Sequence, residues 1–249
     1  MTSKQQEKTP PVIILVAGHW LGAWAWDEVA ERLTSNGMHA IPITLPGLDD
    51  QDPQRANRTL DEQVATIQSA IDVQGGNVVL VAHSGANAPV SVVIDRNPEL
   101  IQRVVWVDSG PVLPGSVFAP DLPESVAEVP LPSFEELGQQ ASLEGLSAEH
   151  LQRFREKAVA EPGPVMRAAV ELTNNDRFSV PTTMVCCSIP SERVLELAEE
   201  GHAMFAEVAR LDNIDVIDLP TGHWPMWSCP EALAEVIGHA AGQPARSSF

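Results

Sequence analysis

The sequence predicts a doubly wound α/β architecture with a mainly parallel sheet of about six strands. Three observations lead there. Short runs of β-branched and other apolar residues recur along the chain without polar alternation, the pattern of strands buried on both faces of a parallel sheet. Stretches with helical spacing separate them. Two of the runs also end in residues that carry chemistry. Val78-Val79-Leu80-Val81-Ala82 passes into His83-Ser84-Gly85-Ala86, and Asp215-Val216-Ile217-Asp218-Leu219 passes into Pro220-Thr221-Gly222-His223-Trp224-Pro225.

In chain order, the strand-like runs fall at 12–17, 39–44, 78–82, 103–107, 182–187 and 214–219. Gly, Pro or polar residues bound each of them. Helices are expected at about 23–35, 60–73, 86–96, 191–209 and 230–241, with Pro98 and Gly201 as breakers. The stretch 112–180 interrupts the alternation. It opens with Pro111, Pro114, Pro120, Pro123, Pro130 and Pro132, which favour extended or irregular chain. Helical patterns follow at about 133–143, 147–160 and 164–172. Ser133 with Glu136 has capping-box spacing, and Ser147 with His150 has its first half. The division expected is a core of 1–111 and 181–249 and a helical insertion, 112–180. Long connections in such sheets tend to lie over the carboxyl edge where ligands bind, so the insertion reads as a lid. The tail 242–249 is expected to lack fixed structure.

The 249 residues suffice for one large α/β domain, and 44% hydrophobic content fits a globular chain. The formal charge of −19 argues against nucleic acid or an anionic membrane as partner. A small-molecule substrate remains, with room for a homodimer. Residues 1–10 are polar and lack the apolar stretch of a signal peptide, and the six apolar residues at 12–17 cannot span a bilayer. The expected location is the cytoplasm. Cys186, Cys187 and Cys229 give no disulfide framework. No Cys-x-x-Cys or His-x-x-x-His pair is present, and no phosphate-binding Gly-rich loop follows a strand. Neither metal nor cofactor is expected.

A nucleophilic Ser must stand on a sharp turn at the top of a strand, which tolerates only small residues around it. The usual form is Gly-x-Ser-x-Gly; here it is Ala82-His83-Ser84-Gly85-Ala86. The plainer role for Ser84 is to cap the helix that follows. His223 follows the last predicted strand, and Gly222 would let the backbone turn sharply before it. His83 reads as packing beneath the Ser turn. An oxyanion hole needs two converging N–H groups. Gly85, after the nucleophile, supplies one, and His19, in the loop after the first strand, is best placed to supply the other. The His19 imidazole either reaches the substrate or packs.

These residues resemble the α/β-hydrolase superfamily across nearly the whole chain. Leu15-Val16-Ala17-Gly18-His19-Trp20-Leu21-Gly22-Ala23-Trp24-Ala25-Trp26 looks like the first-strand loop of small hydrolases akin to plant methyl esterases and hydroxynitrile lyases. Those usually carry His-Gly where this chain has Ala17-Gly18. Thr221-Gly222-His223-Trp224-Pro225 is similar to the family's catalytic-His loop. The resemblance implies Ser84 as nucleophile, His223 as base and the His19 and Gly85 amides as oxyanion donors. The acid is displaced. It usually follows the strand at 182–187, where this chain offers only Glu192, at the start of a helix. Asp108, ending the strand Val104-Val105-Trp106-Val107, is preferred; a site without a carboxylate is the third option. Asp215 and Asp218 lie within the last strand. An acid after the earlier strand also occurs in cofactor-free dioxygenases that resemble hydrolases.

There are six Trp and no Tyr. Trp20 and Trp224 are candidates to line an apolar substrate pocket, whereas Trp24 and Trp26 read as core. The function expected is a serine hydrolase, an esterase or lactonase on a small apolar substrate. The alternatives are a cofactor-free lyase or dioxygenase with His223 as general base, and a non-catalytic binding protein.

Overall fold

The computed structural model describes residues 11–242. In chain order it contains β1 (Val12–Val16), α1 (Asp27–Ser35), β2 (His39–Ile43), α2 (Leu60–Gln74), β3 (Val78–His83), α3 (Asn87–Arg96) and β4 (Ile101–Val107). The insertion then supplies β5 (Glu128–Val129), α4 (Phe134–Leu137), α5 (Ala148–Lys157), β6 (Glu161–Pro162) and α6 (Gly163–Arg167). The chain closes with β7 (Thr182–Cys186), α7 (Ser191–Glu199), β8 (Ile214–Asp218), α8 (Pro225–Ser228) and α9 (Pro230–Gly242). The expectation for the tail beyond Gly242 lies outside the described residues.

Six strands form one sheet in the order β2-β1-β3-β4-β7-β8, and every pairing in it is parallel. Alternate side chains of each strand enter separate cores on the two faces. Ile14, Val16, Leu80 and Val104 pack on one face; Ile13, Leu15, Val79 and Val105 pack on the other. Each such side chain contributes about 1.5–3 kcal/mol on burial, which is why these strands read as continuous apolar runs. The order reverses between β1 and β3, and the Ser84 turn leaves the carboxyl end of β3 there. That crevice is where open α/β sheets bind ligands.

The helices outside the insertion fall where the spacing placed them; α1, α3 and α7 are shorter than expected, and α2 and α9 run one residue longer. The stretch 23–35 divides into a 3₁₀ turn, Ala23–Trp26, and α1. The stretch 191–209 stops at Glu199, before Gly201 at φ 74°. α2 carries a capping box of Thr59 with Glu62, and Gly75 at φ 76° ends it. Within the insertion, 133–143 contracts to the single turn Phe134–Leu137 and 164–172 to Gly163–Arg167. Ser147 and His150 form a full reciprocal box, because His150 Nδ1 accepts from Ser147 N–H at 3.3 Å. No described helix is long and apolar enough to cross a membrane.

Candidate active site

The Ser84 turn is a backbone event before it is a chemical one. Ser84 sits at φ 50° directly after β3, a left-handed conformation that costs a non-glycine residue roughly 1–2 kcal/mol. Small neighbours make room for it. A Cβ on Gly18 would lie 2.6 Å from Ser84 Cβ and 2.8 Å from the His83 carbonyl oxygen, so only glycine fits there. Ser84 is no helix cap: its hydroxyl is engaged elsewhere, and His83 holds the N-cap position of the short turn that follows.

Three side chains predicted from sequence meet here. Ser84 Oγ lies 2.8 Å from His223 Nε2, and His223 Nδ1 lies 2.6 Å from Asp108 Oδ2. Asp108 directly follows β4, one strand over from Ser84, and is itself left-handed at φ 44°. Its other hydrogen bonds come from across the next strand junction. Cys187 N–H and Ser188 N–H donate to Oδ1 at 3.0 and 2.9 Å, and the Ser188 hydroxyl donates to Oδ2 at 2.6 Å. Burial pushes the Asp108 carboxyl up. The hydrogen bonds from His223 and Ser188 together outweigh that and leave it below its ordinary value. An ionised carboxylate on Nδ1 fixes the tautomer that leaves Nε2 free to accept from Ser84. Glu192 stands exposed in the first turn of α7 and takes no part in the cluster.

His83 is buried beneath His223, where its Nε2 reaches the His223 carbonyl oxygen at 2.7 Å. Burial pushes its imidazole down to about 3, with the nearby His223 adding to that effect, so the ring is neutral at ordinary pH. Gly222 has a role other than the one its sequence position implies. Its φ is not left-handed; instead a Cβ would meet Glu144 O at 2.4 Å and Glu144 N at 2.7 Å. The insertion packs directly on the His223 loop, with Gly222 N–H donating to Glu144 O and His223 N–H to Ser142 O.

The first-strand loop meets the Ser84 turn on the opposite side. A Cβ on Gly18 would lie 3.0 Å from Gly85 N, and one on Gly85 would lie 2.3 Å from His19 Nε2. The His19 and Gly85 amides therefore border the same corner. Trp20, at φ 65°, follows His19 and donates its N–H to Glu161 Oε1 at 2.8 Å; the same oxygen lies 3.1 Å from His19 Nδ1. Glu161, in β6 of the insertion, is only 1% exposed. Nothing in the sequence points to it: a single Glu between Ala160 and Pro162 carries no periodic or motif signal.

Beside the Ser84 turn lies a cavity of about 250 Å³, lined by Gly18, His19 and Gly85 and otherwise mainly by aliphatic residues such as Leu45, Leu60 and Val165. Trp20 and Trp224, expected to line the substrate pocket, are not among its walls. Trp20 directs its indole N–H to Val129 O, and Trp224 is buried against Phe154. The aromatic residue that does reach the cavity is Phe118, whose ring packs edge-on against His19 with the centroids 4.2 Å apart. Cys186 and Cys187 are buried thiols; burial pushes Cys186 up to about 12 and Cys187 higher still.

The sequence profile described as "Alpha/beta hydrolase family" matches residues 13–236. An alpha/beta hydrolase named nvfD from Aspergillus novofumigatus is 23% identical over 260 residues, spanning 94% of this chain and 97% of the relative. Methyl jasmonate esterase 1 from Vitis vinifera is 32% identical over 116 residues, 45% of this chain and 43% of that protein. Among solved structures, an extracellular alpha/beta-hydrolase from a Paenibacillus species superimposes with a TM-score of 0.74 at 20% identity, covering 94% of this chain and 100% of that one. It is described as sharing structural and functional homology with tobacco Salicylic Acid Binding Protein 2. With the profile spanning nearly all of the described residues, on a parallel sheet with Ser84 after β3, Asp108 after β4 and His223 in the loop after β8, the chain belongs to the alpha/beta hydrolase family.

Proposed function

We propose that this hydrolase is a cytoplasmic serine esterase acting on a small ester or lactone with a largely apolar acyl part. The observation that carries this is the unbroken chain from Asp108 through His223 to Ser84, with contacts of 2.6 and 2.8 Å, beside an apolar cavity. Ser84 Oγ gives its proton to His223 Nε2 and attacks the carbonyl carbon. Asp108 holds the Nδ1–H and offsets the charge of the imidazolium that forms. The amides of His19 and Gly85 receive the oxyanion. Collapse expels the alcohol, which takes the proton back from His223. Water then attacks the acyl-enzyme with His223 again as base.

The insertion 112–180 serves as the lid. Val112, Ser116, Phe118, Val165 and Val170 from it line the cavity, so its shape sets the acyl group that fits. The esterase name of the Vitis relative supports ester chemistry. The three unpaired thiols favour a reducing compartment. The test is stopped-flow turnover of a short activated aryl ester. A burst of phenol followed by steady release is expected, with Ser84→Ala lowering turnover at least ~10³-fold. Undiminished turnover in Ser84→Ala, with oxygen uptake on a heteroaromatic substrate, would overturn the reading in favour of proton abstraction by His223 alone.

A further inference from the structure

We propose that His19 Nε2 accepts a hydrogen bond from a hydroxyl on the acyl part of the substrate, one or two bonds from the scissile carbonyl, and that Glu161 is the positioning residue that fixes the ring. The proposal rests on the esterase reading and names its substrate class. Glu161 Oε1 already accepts the Trp20 N–H at 2.8 Å. The hydrogen shared with His19 at 3.1 Å therefore sits on Nδ1, the ring donating and the carboxylate accepting. In the tautomer with its hydrogen on Nδ1, the ring presents a bare lone pair at Nε2.

No described protein group meets that lone pair, although the atom is buried. Nor can the ring swing away to find one. The side chain is 11% exposed, gripped by Glu161 at Nδ1 and packed by Phe118 at 4.2 Å. Its location defines where the missing donor belongs. A Cβ on Gly85 would lie 2.3 Å from Nε2, so the lone pair stands over the residue that follows the nucleophile, at the cavity wall. An acyl group whose carbonyl is held at Ser84 brings its nearest substituents to this point. A wholly apolar acyl group would leave Nε2 desolvated and unpaired, whereas a hydroxyl would satisfy it; sites built around such a bond discriminate strongly against the analogue lacking it.

The test uses three probes: phenyl 2-hydroxy-2-phenylacetate, phenyl phenylacetate and phenyl 2-methoxy-2-phenylacetate. Binding to the Ser84→Ala protein is measured by calorimetry, independently of turnover. The hydroxy ester is expected to bind about 10- to 100-fold more tightly than the other two. His19→Phe in the same background should abolish that preference, and His19→Gln, which retains an acceptor oxygen, should recover part of it. Glu161→Gln should narrow the ratio of hydroxy to deoxy ester, a readout that general damage to the site, weakening both alike, would not move. Equal binding of the hydroxy and deoxy esters, equal favour for the methoxy ester, a preference that survives His19→Phe, or no binding of any probe overturns the proposal. The esterase reading stands or falls separately. If the preference is present but the protein with Ser84 intact releases no phenol, that reading fails while the role of His19 holds.

Discussion

Two histidine–carboxylate pairs stand beside the Ser84 turn, and they differ in what the imidazole faces. His223 holds Asp108 at Nδ1 and Ser84 at Nε2, so every polar atom of the ring is used within the protein. His19 holds Glu161 at Nδ1 and offers Nε2 to the cavity. In the first pair Asp108 directly follows β4, whose place the parallel ladder fixes, and His223 stands in the loop after β8, where its N–H donates to Ser142 O. The second joins the first-strand loop to the insertion, His19 and Glu161 being 142 residues apart in the chain. Under the proposed roles, the first pair would act on any substrate and the second would select among substrates.

The comparison breaks most completely at Asp108. Asp108→Asn lets the amide favour the wrong tautomer of His223, and kcat on an aryl ester should fall about 10³- to 10⁴-fold. Gly18→Ala acts on both pairs at once, since the new methyl group would press on Ser84 Cβ at 2.6 Å and on Gly85 N at 3.0 Å. A fall of about 10²-fold in kcat/KM and a loss of roughly 1–3 kcal/mol in urea unfolding are expected.

A pH effect sharpens the contrast between the two pairs and the neutral ring beneath them. His83 is held down to about 3 in the fold from an ordinary 6.5. Above pH 6.5 both folded and unfolded forms are neutral and nothing is lost; as pH falls the unfolded chain takes up a proton that the fold refuses. Stability should drop by roughly 2–3 kcal/mol between pH 7 and pH 4.5, and His83→Gln should flatten that slope. The Asp108 contribution is present above its unfolded value of 3.8 and is lost only as pH falls below it, so the two separate in urea titrations at stepped pH. The smallest effect belongs to Glu192→Gln. Turnover should stay within about twofold of the parent, since surface changes remote from the site are near neutral.

Much of this was legible in the sequence, for a physical reason. A strand buried on both faces must be apolar throughout, so the six runs stand out, and their ends identify Ser84, Asp108 and His223. The choice of Asp108 over Glu192 was harder. Both follow strands, and what separates them is the left-handed turn that sends Asp108 inward and the Ser188 hydroxyl that receives it. Glu161 carried no signal because its partners, Trp20 and His19, are remote in sequence. Trp20 and Trp224 are absent from the cavity wall for a related reason. Proximity in sequence to the site loops says nothing about which way a large ring turns, and burial against Phe154 claims Trp224. The helices of the insertion contracted because short polar segments hold helix only where tertiary packing supports them.

Ser109 donates its hydroxyl to the Ser84 carbonyl at 2.9 Å, tying the turn after β3 to the turn after β4. Both turns hold a non-glycine residue in left-handed backbone. Neither would keep that conformation once the two strands part, because nothing local favours it. The reactive geometry is therefore a property of the central ladder and shares its cooperativity. In a denaturant titration, activity and far-ultraviolet ellipticity should decay along one curve, and no inactive species with an intact sheet should accumulate. Heat or urea would silence this enzyme by unfolding it, not by loosening its site beforehand.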